Sequence, residues 1–266
     1  MTQGQALNPL ERLDALGARL AVRARQSVQA HREYHTLRRE DRRWAEAGPG
    51  MREATLWSGA EARVQLLELA PGAAVPWAAD VRAQELLLVQ GPLRARTPGA
   101  VVERMLAPHS HVLRSDAGVG TLCAGDAPAL VYLRQILVDP ATLPEPEASW
   151  WRLPRPPLHC VQPGERRWLP TFPGVEVLPL WGNAEITSML VRFAAGAGVP
   201  DHRHAVHEDC LMLEGEMFLG DILLRPGDYQ LAPAGGGHFG ETSDVGGSFF
   251  FHGAIDPVLV PPRPRP

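Results

Sequence analysis

The chain of 266 residues contains no lysine: all 26 of its basic side chains are arginine. Without an ε-amino group it has no Schiff-base nucleophile, no lysine to anchor a cofactor and none to cradle phosphates in a P-loop. G-x-S-x-G is also missing, which removes the common hydrolase signature. Cysteine is scarce, with Cys123, Cys160 and Cys210 far apart and odd in number. That supports neither a disulfide framework nor a C-x-x-C pair, and it suits a reducing compartment. No segment approaches the roughly 18 uninterrupted apolar residues of a membrane helix, and MTQGQALNPLERLDALGARL lacks the pattern of a signal peptide. A cytoplasmic protein with no membrane partner is expected. The net charge of −4 argues against direct nucleic-acid binding, because neutralising phosphates needs a basic surface.

What is present is a repeat. Residues 41–91 lie over residues 165–215 without a gap, matching Trp44 to Trp168, Pro49 to Pro173, Gly50 to Gly174, Trp57 to Trp181, Gly72 to Gly196, Pro76 to Pro200 and Gly91 to Gly215. Matched Trp, Gly and Pro positions mark packing anchors and special backbone angles rather than generic surface, so the chain reads as two related domains. Within each copy, short runs such as ARVQLLELA, QELLLVQG, ITSMLVRFA and GSFFFHGA are separated by Gly, Pro or Asp, the pattern of an all-β sandwich or barrel. The expected division is an N-terminal helical arm (1–40), a first barrel (41–138), a proline-rich extended linker (139–163), a second barrel (164–258) and a proline-rich tail (259–266). In the arm, Asn8-Pro9-Leu10-Glu11 signals a helix start, and Leu10, Leu13, Leu16 and Leu20 recur at helical spacing. This helix is expected to pack on the barrels or on a dimer mate; His31 and His35, four apart, read as a solvated face.

The stretch HRHAVHEDCLMLEG, residues 202–215, concentrates the chemistry. His202 and His204, two apart on a strand, point to one face, and Glu208 follows after a short turn. His238 lies in GDYQLAPAGGGH, whose glycine-rich turn can fold back beside the pair. Three imidazoles and a carboxylate suit one divalent transition metal such as Fe, Mn, Ni, Zn or Cu, with positions left for small ligands. His207 sits between the ligands and is expected to aim outward. Cys210 and Met212 read as packing, and Met217, Phe239 and His252 as cavity walls.

These residues resemble the cupin family. Its first motif, G-x5-H-x-H-x3-E-x6-G, is matched by Gly196, His202, His204, Glu208 and Gly215. Its second, G-x5-P-x-G-x2-H-x3-N, is matched by Gly227, Pro233, Gly235 and His238, with Thr242 at the asparagine position. The framing residues are similar to the ChrR-type cupins, which include the metal-binding domains of anti-sigma factors and relatives of acetylacetone-cleaving dioxygenases. The resemblance implies an all-β, jelly-roll bicupin: two double-stranded β-helix barrels with an N-terminal helical arm. It also implies metal ligation by His202, His204, Glu208 and His238. In the first half Ala78, Asp80 and Gln84 stand where His202, His204 and Glu208 stand in the second, so no tight metal site is expected there; around His109 and His111 at most one vestigial ligand is expected.

Two functions follow as expectations. The first is a metal-dependent dioxygenase acting on a small diketone or phenolic ketone, with Glu208 as ligand and proton acceptor. The second is a ChrR-like metal- or ligand-sensing regulator whose partner is a sigma factor. Against the regulator, the anti-sigma zinc module needs Cys and His near the N-terminus, and no cysteine precedes Cys123. The expected partner is otherwise a small-molecule substrate or ligand, with a homodimer as the expected assembly where edge strands need cover.

Overall fold

In a computed structural model the chain folds into two jelly-roll barrels packed back to back, with one long N-terminal helix; residues 8–96, 103–115, 120–256 and 259 are described. Nearly all of the expected proline-rich tail lies outside them. Each barrel is built on a seven-stranded antiparallel sheet. In the first, the order is Leu158–Val161, His111–Arg114, Ala83–Gln90, Ala129–Ile136, Ala62–Leu69, Met51–Ser58 and Trp44–Gly48. In the second it is His35–Leu37, Tyr229–Ala232, Glu208–Gly215, Gly247–Ala254, Ile186–Phe193, Val175–Gly182 and Leu169–Phe172. Short strands close each barrel on its outer side.

The near-continuous apolar runs are explained by this arrangement, because both faces of each large sheet are covered. Alternate residues of one strand serve different cores: Leu67 and Leu69 fill the first barrel, whereas Val64 and Leu66 join Leu87, Leu190, Leu211 and Phe250 in the layer between the barrels. Gly91 and Gly215, matched by the repeat, play one role twice. Each has a positive φ, +81° and +70°, and a Cβ there would collide with the carbonyl of Pro128 or Gly246.

The outermost strand of each large sheet comes from the segment preceding the other barrel. His35–Leu37 pairs with Tyr229–Ala232 of the second barrel, and Leu158–Val161 pairs with His111–Arg114 of the first. The proline-rich connector is therefore not simply extended: its prolines leave room for a short helix, α2 (Glu147–Trp151), and for this edge strand, where a missing N–H can be tolerated. Helix α1 (Pro9–Glu33) carries the expected capping box between Asn8 and Glu11. It ends at Glu33, so His31 and His35 do not share a helix; His35 belongs to the exchanged strand, where its Nε2 meets Leu56 O at 2.6 Å. No described helix is long and apolar enough to cross a membrane.

Candidate metal centre

His202 and His238 stand opposite each other on a two-stranded ribbon, His202–Arg203 against Gly237–His238. Gly237 is needed for that approach, since a Cβ would run into the carbonyl of His202. Backbone bonds from His204 N–H to Gly236 O (3.0 Å) and from Gly235 N–H to His204 O (2.8 Å) continue the pairing to His204. Glu208 then opens the strand Glu208–Gly215 opposite Ala232. Alternation along it turns Glu208, Cys210 and Met212 into the barrel, and Asp209 and Leu211 toward the other barrel.

His202, His204, Glu208 and His238 are all buried, and one donor atom from each lies within 4.8 Å of the others. Glu208 Oε1 is 3.0 Å from His238 Nε2, and Oε2 is 3.4 Å from His204 Nε2. His202 Nδ1 lies 3.1 Å from Pro200 O, which leaves its Nε2 for the centre. Burial depresses the basicity of all three histidines, to about 4 for His204 and about 3 for His238, so each imidazole is neutral with a free lone pair at pH 7. Burial also raises Glu208 above the usual carboxylate range, against the pull of His204 and His202. Both ring nitrogens of His204 and Glu208 Oε2 are buried without a hydrogen bond. Unpaired buried donors and acceptors are costly, and a cation at their centre would satisfy Glu208 Oε2 and one nitrogen of His204. Three nitrogens and a carboxylate are a donor set for a borderline divalent transition metal, so the residues present fit one.

The other sequence candidates divide. His207 is exposed beside Trp57 and stays out of the cluster, whereas Cys210, Met212 and Met217 pack in the barrel core. His252 is not a cavity wall. It lies opposite Asp209 on the sheet face between the barrels, because its position alternates away from the interior. Phe239 lies outside as well, lining a groove between α1 and the barrel. One functional candidate was missed: Glu241 is buried, with Oε2 3.8 Å from His202 Nε2, and burial raises its carboxyl to about 8, with Glu208 adding to the effect. Alternation was the available signal, since an exposed Thr242 turns its neighbours Glu241 and Ser243 inward.

Inside the barrel an apolar cavity of about 210 Å³ reaches His202, Glu208 and Glu241. In the first barrel the corresponding place is filled by other groups. Gln84, the counterpart of Glu208, accepts a bond from Arg114 Nε at 2.6 Å and donates one to Pro76 O at 2.8 Å. Arg114 is buried, donates on to the carbonyls of Val75, Pro76 and Gly120, and sits 5.2 Å from the Trp77 ring. A guanidinium thus fills the place where a metal would need ligands. Neither His109 nor His111 is a vestigial ligand: His109 sits in a turn with φ +68°, and His111 faces the other barrel, 2.8 Å from Glu85.

Fold and site together define a class: a double jelly-roll protein with a buried three-histidine, one-glutamate cluster in its second barrel. Residues 157–256 match the family described as the ChrR cupin-like domain. Among solved structures, the chain is similar to a provisionally assigned glyoxylate-induced protein of Pseudomonas aeruginosa (14% identity, 84% of this chain and 89% of that one, TM-score 0.64). It is also similar to a provisionally assigned dioxygenase of Nostoc punctiforme (15% identity, 88% and 88%, TM-score 0.63). A third is a mutant form of the oxalate decarboxylase of Bacillus subtilis (14% identity, 84% and 77%, TM-score 0.59). At such identities these likenesses show the fold alone. With the domain match they support the cupin superfamily. No curated protein sequence matches significantly.

Proposed function

We propose that the protein is a bicupin of the ChrR-like type whose second barrel holds one divalent metal on His202, His204, Glu208 and His238, and that it is a non-heme metal-dependent dioxygenase acting on a small diketone or phenolic ketone. The observation that carries this reading is the convergence of four buried donors within 4.8 Å, three of them with orphaned atoms, beside an apolar cavity. When bound, the metal supplies Lewis acidity and access to dioxygen. The chain's own residues do the rest: neutral imidazoles hold the ion, the apolar walls exclude water, and Glu208, made more basic by burial, accepts a proton from the substrate.

A regulator is the second reading, favoured by the match to the ChrR cupin-like domain and by Leu10, Leu13, Leu16 and Leu20 on α1, which stand 43–73% exposed beside arginines. The two separate on one experiment. Protein purified without chelator is expected to carry about one metal per chain, and His204→Ala next to none, by elemental mass spectrometry. Oxygen uptake with a panel of 1,3-diketones and hydroxyaryl ketones is expected from the former only. Metal retention without uptake on any member of the panel, together with a stable complex with a sigma factor, would overturn the enzyme in favour of the regulator.

A further inference from the structure

We infer that the interior cavity of the second barrel receives a compact, uncharged molecule with one polar end, and that Glu241 is the side chain that takes up that end beside the metal. This deepens the reading above and rests on it only for the ion next to Glu241.

Size comes first. About 210 Å³ is the space of roughly seven liquid waters, room for a short-chain or single-ring molecule and not for an oligosaccharide or a nucleotide. Chemistry follows from the walls. Apolar side chains, Phe172, Val191, Phe193, Phe249, Phe251 and Ile255 among them, make most of the lining, and its polar side chains are Thr171, His202, Glu208 and Glu241. Among the described residues no arginine lines it, and the chain has no lysine. A carboxylate or phosphate on the body of a ligand would therefore be buried without a partner, which costs several kcal/mol. Without the ion this disfavours dicarboxylates of the oxalate type.

The polar end has one free acceptor of its own. Glu208 turns Oε1 to His238 and Oε2 toward His204. Glu241 is as deeply placed, yet among the described residues its carboxyl makes no hydrogen bond, and His202 Nε2 lies 3.8 Å from its Oε2. It is held there by backbone pairing rather than by its side chain: Val199 N–H donates to Glu241 O at 3.1 Å, and Glu241 pairs with Leu219 across the outer sheet. A buried carboxyl with hydrogen-bonding capacity to spare, facing an apolar hollow, is suited to a ligand hydroxyl, enol or carbonyl.

Phenol and toluene test this, because they match in size and differ in one hydroxyl. Affinities for the full chain, metal-loaded and after chelation, are read by calorimetry or ligand-observed NMR. Phenol is expected to bind at least about tenfold more tightly than oxalate or erythritol in the chelated protein. Glu241→Leu is expected to weaken phenol about fivefold and leave toluene within twofold, and Glu241→Gln to retain phenol within about twofold. Val191→Trp, which fills the hollow, is expected to abolish both while metal content stays; should it not fold, the Glu241 pair and the ranking in the unaltered chain still decide. Oxalate or erythritol binding the chelated protein as tightly as phenol, or Glu241→Leu weakening phenol and toluene alike, overturns the inference. A chain that keeps the phenol preference but retains no metal sinks the metal reading and leaves this one standing.

Discussion

His202 and His252 show how one residue type is given opposite tasks by what surrounds it. At the metal cluster burial dominates and leaves the imidazoles neutral. Burial and Arg134 also oppose the charged form of His252, but Glu85 and Glu147 outweigh them, and its basicity is raised. Its Nδ1 lies 3.2 Å from Glu85 Oε2 and 2.8 Å from Ser188 Oγ, and Nε2 lies 3.4 Å from Glu147. A group with a raised folded value adds stability that is complete below its ordinary value of 6.5 and is lost as pH climbs through the folded one. His252→Gln is therefore expected to cost most at about pH 6 and progressively less toward about pH 9 in urea unfolding. An equal cost at both ends would show that His252 is not charged in the fold. The four metal-ligand candidates were legible because their spacing encodes strand geometry. Glu85, Arg134, Asp209 and His252 were not, because residues so far apart in sequence become a cluster only when the barrels meet.

Strand exchange carries the main consequence at the scale of elements. His35–Leu37 extends the metal barrel's sheet, and nearby the segment is tied down by Tyr34, which bonds the backbone of Gly237, and by Arg38, 2.8 Å from Asp228. The arm is thus part of the second barrel, whereas the exposed leucines of early α1 touch little. Removing residues 1–26 is expected to change stability by less than about 1 kcal/mol. Removing residues 1–38 is expected to cost at least about 2 kcal/mol and to reduce metal retention, checked by urea titration and elemental analysis. If the longer truncation behaves like the shorter, the exchanged strand is dispensable. The repeat held a hint of this: the same offset that matches Trp44 to Trp168 also matches His35 to His159. Which sheet each strand would join could not be read there, since short strands of this kind carry no address for a distant edge.

For the whole molecule, the two barrels have divided the labour. One keeps neutral imidazoles around an interior fit for a cation, and the other has put Arg114 in the corresponding place. A chain carrying Ala78→His, Asp80→His and Gln84→Glu is accordingly expected to bind no more metal than its parent, because Arg114 would pair with the new glutamate and nothing replaces His238. Elemental analysis reads this directly; a second equivalent of metal would show that the guanidinium does not block the site.

Local pattern was enough to establish the duplication, the β class, the helix start at Asn8 and the set His202, His204, Glu208 and His238, because each depends on neighbours along the chain or on a repeat of them. The fold alone decided that the edge strands trade places, that His252 and Asp209 look toward the other barrel, that Arg114 closes the first interior and that Glu241 opens onto the second. Those outcomes depend on which surfaces come together across two sheets, and the free energy of burying a charge or a hollow is set by distant parts of the chain.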